Sequence, residues 1–148
     1  MTRVALDSNI LVYAELEPET AKGRRAAEII MRAAHDGVIP VQVLGEFLRV
    51  VQRRVPGAFA EAVRQAALYR GVFVTPATTE RTLADAAELV LAHRLQLWDA
   101  IICSAAMQQN AAILVTEDLQ DGGRIGHLQL LNPFSRASAK RVDAALQG

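Results

Sequence analysis

The sequence predicts an α/β domain of three layers, a short central parallel sheet with helices on both faces. Short strand-like apolar runs alternate along the chain with longer segments of helical period, the signature of such a sheet. The 148 residues are 51% hydrophobic and 22% charged, the balance of one globular domain. A chain of about 150 residues buries roughly 68–70% of its unfolded surface, so no disulfide or structural metal is needed to hold its core.

Taken in order, Val4-Ala5-Leu6 reads as the first strand. Ala21 to His35 carries Ala26, Ile29, Ile30 and Ala33 at helical spacing, and Asp36-Gly37 closes it as a turn. Val38-Ile39-Pro40-Val41 is a brief extended segment. Val43 to Arg54 is a helix with Val43, Phe47, Val50 and Val51 on one face, ended by Pro56-Gly57, and a further helix covers Ala58 to Tyr69. Gly71-Val72-Phe73-Val74 is a strand, and Pro76 with Thr78 and Thr79 opens a helix running to about Arg94. Asp99 to Asn110 is an Ala-rich helix followed by the strand Ala112-Ile113-Leu114-Val115, and Leu128-Gln129-Leu130-Leu131 is the last strand. No repeat or linker splits the chain, so residues 1–133 form a single domain and residues 134–148 a C-terminal tail, disordered or docked on a partner.

Sixteen basic residues balance sixteen acidic ones, which excludes a strongly basic nucleic-acid coat and leaves such binding to a local patch. Fourteen of the cations are Arg, with Lys22 and Lys140 the only lysines. The guanidinium fork suits phosphate or carboxylate, although a GC-rich genome enriches Arg with no structural cause. Arg24, Arg25, Arg32, Arg49, Arg53 and Arg54 fall on the two early helices, as a phosphate groove, a partner surface or a solvated face. The lone Cys103 excludes an internal disulfide, Met1-Thr2-Arg3 opens no signal-peptide pattern, and no apolar run reaches the roughly 18–20 residues of a membrane span. The expected setting is cytoplasmic, with no membrane.

The informative residues are acids. Asp7 closes the first strand and Asp118 the Ala112–Val115 strand, and in a doubly wound sheet ligands sit outside these carboxyl ends. Each alone is also a common helix cap or turn former. Glu46 lies with Val43, Phe47 and Val50 on the stripe that should face the core, where an ionised carboxylate needs a cation, a metal or water. Arg49 or Arg53 would serve as an ion-pair partner. Asp99 opens a helix behind Leu97-Trp98 without a capping box. Four carboxylates converging on one edge repel one another unless a divalent ion neutralises them, and Mg²⁺ and Mn²⁺ suit oxygen ligands and phosphoryl chemistry. The pattern therefore predicts a metal-dependent phosphodiesterase site.

These segments, Leu6-Asp7-Ser8-Asn9-Ile10-Leu11-Val12-Tyr13, Glu46, Trp98-Asp99-Ala100 and Thr116-Glu117-Asp118, resemble the PIN domain, and more closely its VapC-like toxin branch, over about residues 3 to 133. The resemblance implies a PIN-like α/β/α fold, Mg²⁺ or Mn²⁺ as cofactor, endoribonuclease activity on RNA, a homodimer and a small inhibitory antitoxin. It implies that Asp7, Glu46, Asp99 and Asp118 are the metal-binding, catalytic acids, with Asn9 orienting Asp7 or a water and Ser8 and Thr116 supporting them. Asp121 and Glu117 compete with Asp118 for the fourth place; Asp118 is preferred because it leaves the strand first, whereas Asp121-Gly122-Gly123 reads as a turn.

Other residues carry less. Trp98 is expected in the core rather than as a base-stacking platform, Cys103 as a buried small hydrophobe, and His35, His93 and His127 have no ligand spacing. A haloacid-dehalogenase-like phosphatase would want a second Asp where the chain has Asn9. A non-cutting RNA- or protein-binding module of the same fold is the other reading.

Overall fold

The computed structural model describes residues 2–147. Its order is β1 (Val4–Leu6), α1 (Ser8–Leu16), α2 (Ala21–Ala33), α3 (Val41–Arg54), a 3-10 turn at Pro56–Ala58, α4 (Phe59–Val72), α5 (Glu80–His93), α6 (Leu97–Gln108), β2 (Ile113–Val115), β3 (Arg124–Ile125), β4 (Leu128–Leu131) and α7 (Arg136–Ala145). The strands lie in the order β1-β2-β4-β3, the first three mutually parallel as expected. The mixed character comes from β3, an edge strand antiparallel to β4 that the sequence does not announce, since only Ile125 of its two residues is buried.

The extended segment expected at 38–41 and the strand expected at 71–74 take part in single parallel bridges, Ala5↔Val38 and Val38↔Val74. They still widen the sheet: the Val38 N–H donates to the Val4 carbonyl at 2.9 Å and the Ile39 N–H to the Val74 carbonyl at 2.9 Å. They stay short because α3 already begins at Val41 and α4 runs on to Val72.

Helix α1 was not evident from the pattern. Its consecutive Ile10, Leu11 and Val12 are all buried, so no polar face interrupts the apolar run. The Asp7 side chain caps it by accepting from the Ser8 N–H. Gly23 lets α2 cross closely: a Cβ there would stand 1.7 Å from the Glu17 carbonyl oxygen. Helix α5 opens on a reciprocal Thr79–Thr82 capping box, and Ala86 packs with Ala100 and Ile101 of α6 as a second small core.

Within the segment set apart as a tail, Arg136–Ala145 forms a helix docked on the domain. Val142 is buried, and Asp143 accepts from Arg25 at 2.7 Å and Arg32 at 3.0 Å. Asp121 accepts from the Asn132 N–H, Ser135 Oγ and Ser138 Oγ at the helix start. No single helix among the described residues is long and apolar enough to cross a membrane.

Candidate active site

The carboxyl ends of β1 and β2 lie side by side, with the Asp7 N–H donating to the Val115 carbonyl at 3.0 Å. The chain leaves β1 at Asp7 and β2 at Thr116, so two acid-bearing segments emerge at one sheet edge. Asp7 is 3% exposed. Its Oδ1 accepts from the Ser8 N–H at 2.7 Å, and its Oδ2 accepts from Thr116 Oγ1 at 2.7 Å. Asn9 Nδ2 donates to Asp118 Oδ2 at 3.0 Å while lying 3.4 Å from Asp7 Oδ2, so one amide ties the two carboxylates.

Glu46 comes from the second turn of α3. Its Oε1 accepts from Ser8 Oγ at 3.0 Å and its Oε2 from Gln42 Nε2 at 3.1 Å. It is half-buried, because the core face of α3 runs through Val43, Leu44, Phe47 and Val51 and leaves Glu46 at its margin. The expected ion pair with Arg49 or Arg53 does not form. Asp99 lies in the first turn of α6, which begins at Leu97 with Gln96 as cap.

Electrostatics joins the four. Burial, then the charges of Glu46 and Asp118, push the Asp7 carboxyl up to about 6 against its hydrogen bonds from Thr116 and Ser8. Asp99 is raised by burial and by the same two neighbours. Cys103, directly behind on α6, is pushed up to about 12 by burial and the charges of Asp7 and Asp99. Among the described residues no Lys or Arg stands within ion-pair distance of any of the four acids. Nor is any group of three His, Cys, Asp or Glu there already arranged to hold an ion.

The three competitors for the fourth place separate cleanly. Glu117 turns away to accept from Tyr13 OH and to pair with Lys22, whose ammonium lies 5.2 Å from the Tyr13 ring centre and 5.3 Å from that of Phe134. The lysine and tyrosine bonds outweigh partial burial and hold the Glu117 carboxyl below its usual range. Asp121 is committed to α7. Asp118 is exposed and faces Asn9, its N–H donating to Thr116 Oγ1 at 3.1 Å. The contacts of Tyr13, Lys22 and Gln42 with Glu117 and Glu46 were not read from the sequence; the available signal was position, Tyr13 and Gln42 each standing one helical turn from a candidate residue.

Trp98 is 56% exposed, correcting its expected place in the core. On α6 the sheet-facing positions are Ile102, Cys103 and Ala106, and Trp98 stands to their side. His35, His93 and His127 are exposed and none accompanies the acids.

The PIN domain family model matches residues 4–120. Solved structures share the fold: a toxin–antitoxin complex from Klebsiella pneumoniae is 19% identical with a TM-score of 0.67, over 89% of this chain and 98% of that one. VapBC2 from Rickettsia felis, bound to a DNA fragment from its promoter, is 20% identical with a TM-score of 0.64, over 88% and 98%. Mycobacterium tuberculosis VapC20, a sarcin–ricin loop cleaving toxin, is 17% identical with a TM-score of 0.64, over 78% and 89%. The search of curated proteins returned no match. Its sheet and helices arranged as in these VapC-type toxins, and its family match running through most of its length, the chain belongs to the PIN domain family.

Proposed function

We propose that the protein is a divalent-metal-dependent endoribonuclease, the toxin of a toxin–antitoxin pair. The observation that carries this reading is the uncompensated carboxylate cluster: the charges of Glu46 and Asp118 both raise Asp7 and Asp99, with no Lys or Arg of the described residues within ion-pair distance to offset them. Hard oxygen donors in a net-negative cleft fit Mg²⁺ or Mn²⁺, and these four acids would hold it. The ion would supply charge neutralisation at the scissile phosphate and activation of a water.

The chain's own residues supply the rest. Ser8 and Thr116 fix both oxygens of Asp7, Asn9 sets Asp118 against it, and Ser8 with Gln42 aims Glu46. Holding these groups in place before substrate arrives lowers the reorganisation needed during reaction. Cys103 is buried with its thiol kept protonated, and the Ser8 hydroxyl is spent on Glu46, so the proposed nucleophile is water rather than a side chain. The toxin assignment and an antitoxin partner are supported by family membership and by the VapBC complexes among the similar structures, and a homodimer is part of the same proposal. Exposed Met31, Leu68 and Leu91 offer apolar surface for such contacts. A cytoplasmic setting keeps the single thiol reduced.

The test is cleavage of end-labelled RNA by purified, antitoxin-free protein with Mg²⁺, with Mn²⁺ and with chelator, beside Asp99→Asn. The expected result is metal-dependent cutting lost by at least about 100-fold in the variant, the scale on which one electrostatic group acts. Equal cutting by both would reveal a contaminant, and no cutting by either folded protein would favour a binding module.

A further inference from the structure

We infer that the exposed arginines of α3 carry a single-stranded RNA backbone across the acidic cluster, with Arg49 on one side and Arg54 on the other. The inference rests on the nuclease reading above and adds the path of its substrate. Six arginines fall on α2 and α3, and the fold divides them. Arg25 and Arg32 are spent on Asp143 of α7, and Arg24 donates to the Glu19 carbonyl. The α3 arginines remain open: Arg49 and Arg53 have no carboxylate within ion-pair distance among the described residues, and Arg54 reaches only Glu17, at 3.6 Å.

Two depressions flank the Ser8–Glu46 hydrogen bond. One, of about 540 Å³, is lined by Gln42, Glu46, Arg49 and Thr78 among others. The other, of about 250 Å³, is lined by Ser8, Asn9, Arg54 and Asp118 among others. At about 100° per residue around α3, Arg49 stands about 60° to one side of Glu46 and Arg54 about 80° to the other. Glu46 therefore lies between two guanidinium forks, Arg49 in one groove and Arg54 beside Asp118 in the other.

That arrangement answers an electrostatic difficulty. A cluster of carboxylates repels the phosphodiester it is to cut, whereas cations placed for the neighbouring phosphates draw the strand across. Bidentate donors suit that contact. Asp7 is buried and Asp99 half-buried, so the scissile phosphate must descend between helices, as a flexible single strand allows and a stiff duplex does not.

The experiment measures affinity for a short labelled single-stranded RNA in chelator, as a function of salt, for wild type, Arg49→Gln, Arg54→Gln, the double variant and Arg70→Gln. Arg70 is the control, exposed on α4 and lining neither groove. Gln retains helix propensity, and matched melting curves establish folding. Each α3 substitution should reduce the log–log salt slope by about 0.7 and the pair by about 1.4. Arg70→Gln should leave it unchanged, and a duplex of equal length should bind more weakly. A wild-type slope in the double variant, an equal loss in Arg70→Gln, or tighter duplex binding overturns the inference. Metal-dependent cutting with an unchanged slope removes the path and spares the nuclease. Arginine-dependent binding without cutting by wild type does the reverse.

Discussion

Asp7 carries opposing demands: it caps α1, ends β1 and faces two other acids from a buried position. Because its folded pKa is raised from 3.8 to about 6, the native state keeps a proton between those values that the unfolded chain has lost. Stability therefore falls as pH rises through that window, and the deficit persists above it, by at most about 3 kcal/mol. Asp7→Asn retains an acceptor for the Ser8 N–H and removes the charge. In chelator it should melt higher than wild type near about pH 8 and equal to it near about pH 4, by thermal denaturation. Equal melting at both would mean the charge is already compensated. The candidate residues were legible one by one because a carboxylate at a strand end or on an apolar stripe is a local anomaly. What its neighbours do with it is not: Glu117 and Asp118 are adjacent, yet one is consumed by Lys22 and the other meets Asn9.

At the scale of elements, Asp121 and Asp118 should behave as opposites. Asp121→Ala strands two hydroxyls and an N–H that fasten α7, at a cost of roughly 1–3 kcal/mol, while leaving Mn²⁺ binding intact. Asp118→Ala, at an exposed position, should scarcely move the melting temperature and should weaken Mn²⁺ binding. Melting curves and a Mn²⁺ titration on both variants check this; weakened binding in Asp121→Ala alone would transfer the fourth place to it. Helices α2 to α5 were legible because each alternates buried and exposed positions with helical period, whereas α6, buried without a break from Ala100 to Ala106, was legible from its Ala-rich composition and length. Helix α1 is too uniformly apolar for a period to show, and α7 offers only Val142 and Ser138 as fully buried residues, docking otherwise through ion pairs made by distant arginines.

For the whole molecule, the site depends on a core that holds α3 against the sheet. Phe47 is completely buried and meets the Tyr69 ring edge-on at 6.2 Å, one residue after Glu46. Phe47→Ala should cost about 3–5 kcal/mol, a large share of a domain stability of about 5–15 kcal/mol. Urea unfolding should show a lower midpoint at unchanged slope. A loss under about 1 kcal/mol would mean that the surroundings collapse to fill the space.

By itself the sequence determined the α/β class, most helices and the chain positions of the four acids, since period and strand-end chemistry are properties of a few consecutive residues. Only the tertiary structure decided that Asn9 ties Asp7 to Asp118, that Asp118 rather than Glu117 or Asp121 faces Asn9, that Trp98 lies in solvent, and which arginines of α2 and α3 are spent on α7. The physical reason is separation along the chain: the Asn9–Asp118 bond spans 109 residues, Tyr13–Glu117 spans 104 and Arg25–Asp143 spans 118. Such partners are chosen by which faces pack together, and no local pattern records that choice.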